Sequence, residues 1–137
     1  MTRILHIDDN EAIRLLYEDE LTEEGYEVIG VSSCEDIFDR IARIRPDIIV
    51  FEPGIPEVDG LEILQMIRNS NYNMPVIIST SCPEIKYDQR CLAADYVLIK
   101  SYNLSELKLK IEMVIDGRRV FQDEPIRKSL QELQAVP

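Results

Sequence analysis

Four short apolar runs of this chain end on residues that can do chemistry. Asp8 and Asp9 follow Ile4-Leu5-His6-Ile7, Glu52 follows Ile48-Ile49-Val50-Phe51, Thr80 closes the run that begins at Val76, and Lys100 follows Tyr96-Val97-Leu98-Ile99. Gathered at one place, the three carboxylates repel one another unless a cation compensates them. Two unit charges ~4 Å apart interact by roughly 4 kcal/mol at an effective dielectric of about 20. Two cations are available in principle, the Lys100 ammonium and a bound divalent metal. Carboxylates suit Mg²⁺, which takes oxygen ligands in a strict octahedron and keeps several waters. A hydroxyl such as Thr80 can donate to an anion in the same place. Together the residue types suit a phosphoryl group with its metal.

These residues meet only if the strands before them are parallel neighbours, and the rest of the sequence supplies that pattern. Arg3 to Ile7 reads as a buried strand, with turn and cap chemistry in Asp8-Asp9-Asn10. Residues 11–24 read as a helix with Ile13, Leu16 and Leu21 among its apolar positions and Gly25 behind it as a stop. Glu27 to Val31 is a second strand, and Ser33 is placed to cap a helix carrying Ile37, Ile41 and Ile44 before Pro46. Ile48 to Phe51 suits a central strand covered on both faces. Pro53, Gly54, Pro56 and Gly60 make a loop, and Leu61, Leu64 and Ile67 mark a third helix. Pro75 to Ile78 begins a fourth strand that closes on Ser79-Thr80-Ser81, and residues 84–93 fit a short fourth helix. Tyr96 to Ile99 is a fifth strand, followed by a fifth helix with Leu107, Ile111 and Val114 buried and Gly117 as its end.

Five β-α units in a row predict an α/β fold, a doubly wound five-stranded parallel sheet of order 2-1-3-4-5 with helices on both faces. In such a sheet the functional crevice lies beyond the carboxyl ends of the strands, near the point where the strand order reverses. That rule selects Asp8, Asp9, Glu52, Thr80 and Lys100 from the topology alone.

Composition narrows the remaining choices. The 137 residues suit one domain, here 1–117, with a tail at 118–137 whose Pro125, Ile126, Leu130 and Leu133 fit a short helix or a linker. A net charge of −11 repels a phosphate backbone and argues against direct nucleic-acid binding. No apolar run is long enough for a membrane span and no leader pattern opens the chain, so the expected location is cytoplasmic. Cys34, Cys82 and Cys91 are scattered and odd in number, which fits reduced thiols, neither disulfides nor a zinc site. His6, the single histidine, lies mid-strand and reads as a hydrogen-bonded core residue. Ser79, Thr80 and Ser81 have no histidine base placed to make a nucleophile of them.

Over residues 3–116 the sequence resembles the receiver domain of two-component signalling. The likeness rests on Ile7-Asp8-Asp9, Pro46-Asp47-Ile48-Ile49-Val50-Phe51, Pro56 with Asp59-Gly60, Pro75 to Ser81, and Ala94-Asp95 leading to Lys100. The resemblance implies a flavodoxin-like receiver fold and a Mg²⁺ site formed by Asp8, Asp9, the residue at position 52 and the Gly54 carbonyl. It also implies a switch hydroxyl at Thr80 and a lysine, Lys100, that contacts the phosphoryl oxygen. Implied partners are a histidine kinase or a downstream effector. A homodimer through the fourth helix, fifth strand and fifth helix is a further implication, with Tyr87, Tyr96 and Tyr102 offering aromatic contacts.

The departures lie in the phosphorylation machinery. Counting back four residues from Pro56, the family's phosphoacceptor aspartate is replaced by Glu52. The extra methylene moves the carboxylate out by roughly one C–C bond, ~1.5 Å, and a misplacement of ~1 Å can cost about a hundredfold in rate. Ser101 stands where the family places a proline after its lysine, and Val97 stands at the aromatic switch position, with Tyr96 on the opposite face by strand alternation. The sequence therefore points to an atypical, non-enzymatic receiver that acts through protein–protein interaction, its Mg²⁺ site weakened or lost. The alternative is a Mg²⁺-dependent phosphoacceptor modified on Glu52 or a neighbouring aspartate. Glu52 as an imitation of phosphoaspartate and Glu52 as a lock of the inactive shape both fit the sequence. A metal-dependent phosphatase on a similar sheet is set aside, since it needs two aspartates two residues apart where Asp8 and Asp9 are adjacent.

Overall fold

β-branched residues in short runs favour pleated, buried backbone, and each such run here forms a strand. A computed structural model of the chain describes residues 1–122, with side chains through residue 117. The strands are β1 (Arg3–Ile7), β2 (Glu27–Val31), β3 (Ile48–Phe51), β4 (Val76–Thr80) and β5 (Tyr96–Ile99). All pair in parallel, in the order β2-β1-β3-β4-β5. The chain divides into two compact units, 1–104 and a second that begins at Ser105.

In the first unit helices cover both faces of the sheet. On one face Leu5, Ile7, Ile49, Phe51, Val76 and Ile78 meet α2 (Ile37–Ile44) and α3 (Gly60–Ser70) through Ile37, Leu61, Leu64 and Ile67. On the other, α1 (Glu11–Glu23) lays Tyr17 on His6, ring centroids 4.4 Å apart, and shares a 2.7 Å hydrogen bond between the Tyr17 and Ser79 hydroxyls. β3 and β4 are buried at every position, as strands with two covered faces must be.

The helix ends show why the connections turn where they do. Asn10 caps α1, its side chain accepting from the Ile13 N–H. Gly25 ends α1 at φ +93, with Tyr26 N donating to Leu21 O and Gly25 N to Thr22 O, a Schellman closure. Asp59 caps α3 through the Glu62 N–H. Gly60 is demanded by contact, because a Cβ there would lie 2.0 Å from the Pro53 carbonyl oxygen.

Several expectations are corrected. α2 is not capped by Ser33, whose hydroxyl accepts from Glu35 N; the helix begins after Asp36, which is left-handed at φ 51. Residues 84–93 do not form an α-helix: two 3-10 turns, Pro83–Tyr87 and Gln89–Ala93, break at Asp88. His6 is a core residue, 1% exposed, but neither ring nitrogen has a hydrogen-bond partner among the described residues. It is stacked on Tyr17 instead. The second unit contains α4 (Ser105–Gln122), which passes through Gly117 without stopping and buries Leu107 and Ile111 one turn apart. The amphipathic stretch expected from Pro125 lies outside the described residues.

Candidate functional site

The carboxyl ends of β1, β3, β4 and β5 bring Asp8, Glu52, Thr80 and Lys100 side by side, because the sheet ladder runs on past each strand. Asp8 N donates to Val31 O at 3.1 Å, Glu52 N to Ile7 O at 2.9 Å and Lys100 N to Thr80 O at 2.8 Å. Asp8 and Thr80 are fully buried and Glu52 is 5% exposed.

The Lys100 ammonium sits between the two acids, 2.7 Å from Asp8 Oδ2 and 3.0 Å from Glu52 Oε1. The other carboxylate oxygens are held by backbone: Asn10 N donates to Asp8 Oδ1 at 2.9 Å and Gly54 N to Glu52 Oε2 at 3.1 Å. Ser81 N adds a 3.3 Å hydrogen bond to Glu52 Oε1. The glutamate thus bridges the start of the β3–α3 loop, the exit of β4 and the end of β5. Arg14 Nη1 donates to the Asp8 carbonyl at 2.8 Å, fixing β1's exit from the α1 side.

Electrostatics follow this geometry. Burial pushes the Glu52 carboxyl up, but hydrogen bonds from Lys100, the Gly54 amide and the Thr80 hydroxyl outweigh it and hold the group below the ordinary carboxylate range. Burial likewise works against the charged Lys100, and the two carboxylates overcome it, leaving the ammonium more basic than a free lysine. Beneath the pocket, burial first, then Lys100 and Arg14, lower His6 to about 3, so the ring is neutral although Nε2 lies 3.9 Å from Asp8 Oδ2.

The residues selected from the sequence are not all gathered. Asp9 is exposed, and of Asp8-Asp9-Asn10 it is Asn10 that caps α1. The Gly54 N–H donates to Glu52. Among the described residues no group of three or more His, Cys, Asp or Glu side chains is placed to hold a metal ion. Of the implied Mg²⁺ set, Asp8 and Glu52 hold the Lys100 ammonium between them and accept N–H donors on their other oxygens, while Asp9 is exposed. Thr80 Oγ1 accepts from Cys82 N at 3.1 Å. Val97, opposite Ile78, packs toward the α2–α3 core and carries no hydroxyl. Cys82 is exposed, its thiol 3.0 Å from Glu84 Oε2 and made less acidic chiefly by that contact.

Sequence reasoning missed Tyr17 and the Ser81 amide. Tyr17 had a signal, since Ile13, Tyr17 and Leu21 recur four apart on one face of α1. The amide had none, because every residue but proline carries one.

The fold and the pocket define a class of signalling module, and comparison with known proteins identifies it. The family described as "Response regulator receiver domain" matches residues 4–112, and the chain belongs to it. The Regulatory protein AtoC of Escherichia coli is 29% identical over 136 residues, covering 97% of this chain and 28% of its own length. The response regulator TrrA of Thermotoga maritima, crystallised with Mg²⁺-BeF, is 32% identical with a TM-score of 0.79 over 83% of this chain and 99% of that one. TrrA in complex with the histidine kinase ThkA superposes with a TM-score of 0.77, at 32% identity over 83% of this chain and 98% of that one. The chain spans 28% of AtoC and 65% of a Pseudomonas aeruginosa relative, so it matches only part of these curated proteins. No helix among the described residues is long and apolar enough to cross a membrane.

Proposed function

We propose that this receiver is an atypical, non-enzymatic signalling module that works through protein–protein contacts without accepting a phosphoryl group at Glu52. One observation carries the reading. The carboxylate at the acceptor position is held on both oxygens, by Lys100 and the Ser81 amide on Oε1 and by the Gly54 amide on Oε2. An acceptor must present a free oxygen in line with the donor phosphorus, and a group committed to three donors in a buried pocket does so poorly. Asp8 and Thr80 line that pocket, Lys100 supplies its positive charge internally, and Mg²⁺ binding is weakened or lost.

The partner is a histidine kinase or a downstream effector, by analogy with TrrA and its kinase. Tyr87 and Leu92 on the 3-10 turns and Tyr102 after β5 are 86–90% exposed and suit such a contact or a homodimer. The receiver spans 1–117, which holds the whole of the family match at 4–112, and α4 continues past that boundary to Gln122.

Intact mass after incubation with Mg²⁺ and a small-molecule phosphodonor tests the reading, with Glu52→Asp beside the natural protein. The expected result is no adduct on the natural chain and one on the variant. A Mg²⁺-dependent adduct on the natural chain, on Glu52 or a neighbouring aspartate, overturns it.

A further inference from the structure

Residues 83–93 are written as one helix and folded as two pieces. Pro83 is followed by Glu84-Ile85-Lys86-Tyr87-Asp88-Gln89-Arg90-Cys91-Leu92-Ala93, with proline where a helix accepts it and no glycine. Yet Asp88 is extended at φ −82 and ψ 123 between two 3-10 turns. Hydrogen bonds of 3-10 turns are poorer than those of an α-helix, so something beyond local preference holds the break.

The side chains around Asp88 supply it. Arg90 donates through Nε and Nη2 to the two oxygens of Asp88, at 3.2 and 2.9 Å, and through Nη1 to Asp59 Oδ2 at 2.9 Å. Asp88 Oδ1 also accepts from Arg90 N at 3.0 Å. Residues two apart do not face each other on an α-helix, so the forked Asp88–Arg90 contact excludes one. Asp59 is anchored as the α3 cap, so the clasp is tied to a fixed point. By contrast, Gln65 on the Arg90 carbonyl and Arg68 on the Ala93 carbonyl bind groups that the last turn of a helix would leave free anyway.

The split also decides which residue is buried. Ile85 packs on the core, and Cys91 is 5% exposed with its thiol 2.9 Å from Ile85 O. At 3.6 residues per turn Ile85 aligns with the residue seven ahead. That residue is Leu92, which is 86% exposed here.

We propose that residues 83–93 are a two-state element and that the Asp59–Arg90–Asp88 clasp is the latch selecting the split form. Opening the latch lets the segment close into one α-helix that turns Leu92 inward and Cys91 outward. The clasp residues are 34–50% exposed, so salt screens the latch and a charged partner can compete for it. The proposal stands on conformation alone and does not depend on whether Glu52 accepts a phosphoryl group.

The test uses the full chain with Cys82→Ser, which removes the exposed thiol. Two readouts are compared across the natural clasp, Asp59→Asn and Arg90→Met: backbone chemical shifts of 83–93, and the alkylation rate of Cys91 located by peptide mass. Asn still caps α3, so Asp59→Asn removes the charge and keeps the fold. The expected result is helical shifts across 86–90 with Cys91 labelling severalfold faster in both variants, and the same trend for the natural clasp in high salt. Unchanged shifts in both variants overturn the proposal, as does faster labelling without helical shifts, which marks simple local opening.

Discussion

Among the described residues, a cation sits between two carboxylates in the pocket and again in the clasp, and the two places are opposites in burial. In the pocket, Lys100 joins Asp8 and Glu52 with side chains 13%, 0% and 6% exposed. In the clasp, Arg90 joins Asp59 and Asp88 with side chains 42%, 50% and 34% exposed. The same charges have different consequences because water competes for one set and hardly for the other. A buried ion pair gives little net stability when formed, but removing one partner strands an uncompensated charge. An exposed pair is worth little either way, and salt screens it. The pocket is therefore suited to fixing one arrangement, and the clasp to changing between two.

The largest effect should come from breaking the pocket. Lys100→Met leaves Asp8 and Glu52 buried without their cation, and a loss of about 3–5 kcal/mol in denaturant unfolding is expected. Adding Glu52→Leu should recover part of it. A loss below about 1 kcal/mol would show that the pocket is as well solvated as the clasp.

Acid separates the two regions next. His6 is held at about 3 when folded against 6.5 when free, so the unfolded chain takes up the proton first. Its contribution is complete above its unfolded value and is lost as pH falls toward the folded one, on the order of 4 kcal/mol in all. Glu52, also lowered, adds its loss only below the ordinary carboxylate range. In His6→Leu the curve of stability against pH should stay flat until the carboxylates titrate, and a wild-type slope near pH 6 in that variant would exclude His6 as the source.

Clasp changes should be smaller. Asp59→Asn is expected to cost less than about 1 kcal/mol, and the difference should vanish near ~1 M salt. Smallest of all is Asp9→Ala, within about 0.5 kcal/mol of the natural chain because Asp9 is exposed. A larger loss there would draw Asp9 back into the pocket.

Much of this was legible from residue types alone. Runs such as Ile48 to Phe51 and Val76 to Ile78 are too apolar to face water, so they had to be central strands. Their parallel order placed Asp8, Glu52, Thr80 and Lys100 on one edge before any coordinate was known. The helix expected at 84–93 does not form, because local propensity favours it while Arg90 gripping Asp59 from 31 residues away favours the break. Gly117 was misjudged as a stop because glycine weakens a helix interior by only about 1 kcal/mol, and α4 continues through it.

The sequence by itself determined the strand order, the acidic edge and the presence of a glutamate, Glu52, at the end of β3, because hydrophobic period and residue spacing are properties of the chain. Only the tertiary structure decided that the carboxylate reaches Lys100, Gly54 and Ser81, that Asp9 stays outside, and that His6 is buried without a hydrogen-bond partner among the described residues. Those outcomes depend on distances between residues far apart in sequence, which local pattern does not encode.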